Sequence, residues 1–120
     1  MIAVAAGSGL PLSRGSVAWA DLSPTRGREQ GGERPVLVDA SRGYLATVTT
    51  LVIVLPVTTA DRGWPNHVPL RGAHGLDRPS WAMTEQFRTI ARDRIREVVG
   101  LVDDATLNDV DVYLRDFLDL

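Results

Sequence analysis

Apolar residues along this chain fall in short runs broken by Gly, Pro and charged residues, and helical spacing emerges only after residue 103. Residues 16–22 alternate, with Val17, Trp19 and Asp21 on one face and Ala18, Ala20 and Leu22 on the other, which predicts a strand. Residues 34–41 predict a second. After a turn at Arg42 and Gly43, residues 48–59 form the most β-branched segment and predict a third, central strand. Its unbroken apolar stretch, residues 51–55, reads as buried on both faces, while Pro56 implies a bulge or a free edge at that point. Residues 61–65 read as a turn, 66–71 as a short strand and 72–79 as a loop. Residues 80–90 predict one or two further strands that carry Trp81, Met83 and Phe87 inward, and residues 92–99 a helical turn. From there a helix is expected, capped by Asp103 or Asp104, with Leu107, Val110, Leu114, Phe117 and Leu118 on one stripe. Six short strands separated by turn signals fit a small barrel better than a parallel sheet.

Composition narrows this picture. With 120 residues, 44% hydrophobic and 23% charged, the chain is a single domain whose modest core dimerisation would help. There is no cysteine, hence no disulfide framework and no thiolate metal site. The two histidines, His67 and His74, have no metal-binding motif around them, so no metal or other cofactor is expected. All 13 basic residues are arginine, yet the net charge is −2, which excludes a general nucleic-acid coat protein. Any RNA binding must be local, in an arginine-lined groove. Residues 1–13 are small and apolar but lack a basic start and are interrupted by Gly7, Gly9 and Pro11, so they read as a flexible leader, with 14–120 as the domain. No run approaches the ~18 apolar residues of a membrane span, and a cytoplasmic location is expected.

The densest chemistry lies in residues 27–38, GREQGGERPVLV. Gly31 and Gly32 allow positive φ and close backbone approach, and Pro35 begins a rigid apolar run, so Arg34 stands where a polar loop meets a strand. Glu29 and Gln30 add an acid and an amide beside that cation, a set suited to an anionic substrate. Taken singly, Arg34 reads as a strand-edge arginine, Thr58 as a β-former and Glu29 as a solvated charge; the combination argues for a site. Trp64, in a turn, is the best candidate to stack on an unpaired base, whereas Trp19 and Trp81 are expected to be buried in strands. His67 reads first as a packing or hydrogen-bonding residue, with at most a minor role in catalysis. Arg88, Arg92, Arg94 and Arg96 read as a solvated charged face.

Together, Arg14-Gly15, VAWADLSPTRGREQGGERPVLV, LPVTT, WPNHVPL and SWAMTEQFRTI resemble the MazF/PemK toxins of bacterial toxin–antitoxin pairs, over roughly the last hundred residues. The resemblance implies an SH3-like, partly open β-barrel with short helices and a C-terminal α-helix. It also implies an endoribonuclease that stops growth by cutting single-stranded RNA, works as a homodimer with its groove across the interface, and is silenced by a cognate antitoxin. The antitoxin would lay an extended acidic C-terminal segment in that groove. The family's catalytic arginine and strand-end threonine correspond to Arg34 and Thr58, with Glu29 a third candidate. Arg28, Gln30, Trp64, His67, Glu85, Gln86 and Arg88 are the expected RNA-binding residues. Arg28 stands where relatives commonly have serine and Ala91 where many have aspartate. Metal-free cleavage is chemically sufficient, since the RNA's 2′-hydroxyl can attack its own phosphorus if a base, a charge-stabilising donor and a leaving-group acid are supplied. The alternatives are a protein-binding toxin on the same barrel, like the CcdB gyrase poisons, and an inactive homologue that only binds antitoxin.

Overall fold

The computed structural model describes residues 10–23 and 32–120. Among these, seven strands form: β1 (Ser16–Asp21), β2 (Glu33–Val38), β3 (Leu51–Thr58), β4 (His67–Pro69), β5 (Trp81–Met83), β6 (Arg88–Ala91) and β7 (Ile95–Leu101). Two helices, α1 (Arg42–Thr47) and α2 (Asp104–Leu118), and two 3-10 turns, Thr84–Gln86 and Arg92–Arg94, complete the described elements. The strands pair antiparallel in the order β4-β5-β3-β2-β1-β7, with β6 added to β3, and the sheet does not close.

β3 is central, as its apolar run implies. One edge pairs with β2 through Val36↔Pro56, Leu37↔Leu55 and Val38↔Val54. The other edge changes partner, facing β6 over residues 51–54 and β5 at Val57 and Thr58. Pro56 falls in the gap between those partners, where a residue without an N–H interrupts the ladder least. Because alternate side chains point to opposite faces, β2 and β3 feed two cores. Val36, Val38, Val52 and Val54 join Ala18, Ala20, Leu22, Ile90, Ile95 and Val98 inside the curl of β7, β1, β2, β3 and β6. Leu37, Leu55 and Val57 turn the other way and pack with Val68, Leu70, Ala82, Leu107 and Val110 under α2.

Several expectations are corrected. Residues 42–47 are helical rather than a turn, because Ser41 Oγ accepts from Tyr44 N at 3.0 Å and caps α1; β3 accordingly begins at Leu51, not residue 48. Residues 95–101 form a strand, not part of a helical turn; only Arg92–Arg94 makes a 3-10 turn, and β7 then fills the second edge of β1, with register shifts after Val17 and Trp19. Trp19 is not buried but 38% exposed, since it sits opposite Pro35 and Glu97 beyond the reach of α2's core. Leu12, assigned to the leader by sequence, is 3% exposed and packs in the inner core. Of the arginine run only Arg96 is exposed; Arg92 instead donates to the carbonyls of Leu45, Val48 and Leu51 and ties down the end of α1.

α2 starts where its sequence signal places it, with Asp103 accepting from Thr106 N at 2.9 Å; those Thr106 hydrogen bonds hold the Asp103 carboxyl below the usual range. The stripe is buried only in its first half, and Phe117 and Leu118 are exposed. Further along α2, Asp111 meets Asp39 at the end of β2, with Arg14 bonded to both, its Nε 3.0 Å from Asp39 Oδ1. Burial, then the hydrogen bond and charge of Asp111, push the Asp39 carboxyl up to about 7 against the opposing pull of Arg14. A folded-state value raised above the unfolded one gives stability that is present at low pH and lost as pH rises from about 4 through about 7. Asp39→Asn, which keeps a donor toward Asp111 without a charge, is expected to raise Tm at pH 8 by roughly 5 °C and to change it little at pH 5, measured by thermal unfolding at both pH values.

Candidate active site

β2 and β3 bring the two principal candidates together. Continuing the β2–β3 register by two residues sets Arg34 opposite Thr58, and by strand alternation both share the face of the inner core. Arg34 is half-buried beside Ala20 of β1, and Thr58 is 7% exposed, its Oγ1 accepting from Ala60 N at 3.1 Å. A guanidinium and a hydroxyl thus stand at one open end of the curled sheet. Arg88, opposite Val54, points to the same face and donates to the Leu22 carbonyl at 3.4 Å. Arg94 donates to the carbonyls of Asp21 and Ser23. Leu22 N bonds Gly32 O at 2.9 Å and Gly32 N bonds Ser23 Oγ at 2.9 Å, closing the base of the loop between β1 and β2. Gly32 takes φ +74 there, a backbone that side chains with a Cβ rarely adopt. Arg34, Arg88 and Arg94 therefore belong to this end of the sheet, where the paired Asp21 and Glu33 carboxylates are in turn met by Arg96. Arg28, Glu29 and Gln30 lie outside the described residues.

A second group of predicted residues converges on the far side of Thr58. The 3-10 turn Thr84–Gln86 touches both β3 and α2. Glu85, exposed, accepts from Asn66 Nδ2 at 2.8 Å and from His67 Nε2 at 3.0 and 3.1 Å, with Gln86 Nε2 at 3.5 Å. The fully buried Thr84 donates to Asn66 O at 2.7 Å and accepts from Asn66 Nδ2 at 3.3 Å. His67, 5% exposed, packs its ring 4.7 Å from that of Trp64, which is 50% exposed with the Arg62 guanidinium 6.0 Å from its centre. His67 is thus nearly as buried as Thr58, and its Nε2 is taken up by Glu85. Trp64, Pro65, Asn66, Glu85, Tyr113, Asp116 and Phe117 line an open groove of about 430 Å³. Asn66, Thr84 and Tyr113 escaped the sequence reading, and Phe117 was read only as part of the helix stripe. Only WPNH and TEQ hinted at the first two, and nothing local pairs residues 18 positions apart.

Over residues 13–118 the chain matches the family model of the PemK-like, MazF-like toxins of type II toxin–antitoxin systems. The chain belongs to that toxin family. Endoribonuclease EndoA of Bacillus subtilis (strain 168) is 36% identical over 106 residues, 87% of this chain and 91% of that protein. The crystal structure of MazF (form I) from Deinococcus radiodurans superposes with a TM-score of 0.76 at 26% identity, covering 100% of this chain and 99% of that one. MazE–MazF (form II) from the same organism gives 0.73 at 28% identity, covering 91% and 96%. The toxin's open antiparallel sheet with a C-terminal helix is the fold of these relatives. No helix among the described residues is long and apolar enough to cross a membrane.

The buried hydroxyl beneath the groove is open to test. Thr84→Val conserves shape but leaves the Asn66 carbonyl without the Thr84 hydroxyl, while the Asn66 amide keeps Glu85, and it is expected to cost about 1–2 kcal/mol in chemical denaturation.

Proposed function

We propose that this toxin-family endoribonuclease cuts single-stranded RNA without a metal, through in-line attack of the substrate's own 2′-hydroxyl. The alignment of Arg34 with Thr58 on one face of β2 and β3 carries the reading. In the attack the 2′-oxygen bonds to phosphorus, its proton passes to a base, and the bond from phosphorus to the 5′-oxygen breaks as that oxygen is protonated. The products are a 2′,3′-cyclic phosphate and a 5′-hydroxyl.

Arg34 answers the charge that builds on the phosphorane: its planar guanidinium carries a fixed positive charge and matches two phosphate oxygens at once. Thr58 donates to the same phosphate, and its strand position fixes the hydroxyl before substrate arrives. Glu29 is the candidate base or the group that orients Arg34. Arg88 adds positive potential at the mouth, Arg28 and Gln30 contact RNA from the loop, and Trp64, Glu85 and Gln86 hold bases along the groove. The toxin acts in the cytoplasm as a homodimer. Its cognate antitoxin silences it by laying an extended acidic segment over the arginine-lined mouth; the Deinococcus radiodurans relative is likewise solved as MazE–MazF.

Removing one preorganised donor of this kind costs roughly 10²–10³-fold in rate. Arg34→Ala and Thr58→Ala are each expected to lose that much in single-turnover cleavage of a long RNA in EDTA, with wild-type fragments ending in cyclic phosphate and 5′-hydroxyl. Wild-type-like cutting by either variant, or cutting that EDTA abolishes, would refute the mechanism.

A further inference from the structure

The groove beside Trp64 has an acid built into it in an unusual way. Glu85 Oε1 accepts two hydrogens, from Asn66 Nδ2 and His67 Nε2, whereas Oε2 has the shared imidazole hydrogen and only a long contact from Gln86. A carboxylate oxygen accommodates about two donors, so Oε2 retains acceptor capacity. His67 Nδ1 is buried and meets no hydrogen-bond partner among the described residues, while Nε2 faces a carboxylate. The hydrogen therefore belongs on Nε2, which donates to Glu85. The same imidazole packs against the half-exposed Trp64 ring at 4.7 Å. His67 itself is held by its place at the start of β4, opposite Met83 of β5. One buried side chain thus sets the direction of both an exposed acceptor and an exposed stacking surface.

We propose that His67 is a positioning residue for RNA sequence recognition: it aims Glu85 Oε2 at the donor edge of a base stacked on Trp64, and so selects a base with an exocyclic amino group over uracil. The inference rests on the reading of this groove as part of the RNA site. Cytosine, adenine and guanine each present an amino hydrogen to an acceptor, whereas uracil has carbonyl oxygens at both exocyclic positions. Its one remaining edge donor, the ring N3–H, lies between those two oxygens, so a carboxylate that approaches it meets their lone pairs. The imidazole reads no base itself, and its effect passes through the two groups it touches.

The test is to map the ends of fragments cut from a random-sequence RNA pool by the wild type, His67→Gln, His67→Phe and Glu85→Gln, with Tm measured for each. Gln places an amide donor near the position of the imidazole Nε2, and Phe keeps a ring under Trp64 without a donor. The wild type and His67→Gln are expected to share a preference against uracil at one position near the cut. His67→Phe and Glu85→Gln should lose roughly 10-fold of that discrimination at that position and no other. Glu85→Gln leaves His67 in place, so it keeps the test decisive if His67→Phe does not fold. A wild-type profile in both His67→Phe and Glu85→Gln, or equal loss in His67→Gln, would overturn the inference while leaving the nuclease reading intact. A wild type that cuts no RNA would overturn both.

Discussion

The structure depends on β3 serving two cores and three partners at once. Seven of its eight residues are apolar, and alternate side chains leave in opposite directions, so both faces are buried from Val54 to Thr58, with Leu51 at the start left exposed. Burial on both faces demands strands on both edges, which β2 supplies along one and β6 and β5 in succession along the other. The hand-over at Pro56 lets the sheet curl around the inner core on one side and continue to β5 and β4 under α2 on the other. Continued by two residues, the β2–β3 register that results sets Arg34 level with Thr58. Fold and site are therefore fixed by one set of pairings: a two-residue slip that kept every core face correct would separate the guanidinium from the hydroxyl.

Electrostatics act locally on this frame. The chain is slightly acidic, and α2 carries Asp104, Asp109, Asp111 and Asp116 against Arg115 alone. Positive charge is gathered instead at the sheet's open end, where Arg88 and Arg94 bond backbone carbonyls at the exit of β1. A guanidinium bonded to a neutral carbonyl keeps its full charge while its side chain is already ordered. Arginines held in this way attract phosphate without a further entropic cost on binding. Their partner carbonyls at Asp21, Leu22 and Ser23 also hold the start of the loop that leads to Gly32.

The sequence made the strands with strong signals readable: the alternation of residues 16–22, the apolar run of β3 and the Asp103 cap all rest on neighbours a few positions away. It did not reveal β7, whose IREVVGL mixes helix-forming charges with apolar residues and whose alternation is broken by two register shifts. What makes this segment a strand is the unpaired edge of β1, about 80 residues earlier. α1 was missed because Ser41's capping role was hidden beside the β-branched Val48, Thr49 and Thr50. In the candidate site, Arg34 and Thr58 were singled out by their motifs, and the strand pairing sets them on one face. The network under Glu85 was not, since Asn66 and Thr84 meet only after β4 and β5 pair, and His67 reaches Glu85 for the same reason.

The central claim is that Arg34 and Thr58 act on one phosphate as a unit because β2 and β3 hold them level. The most direct measurement is a double-mutant cycle on single-turnover RNA cleavage, comparing Arg34→Ala, Thr58→Ala and the double variant. Groups that stabilise one transition state together are non-additive, so the double variant should be little slower than the worse single variant. Losses that multiply through the cycle would place the two residues on independent tasks and contradict the account.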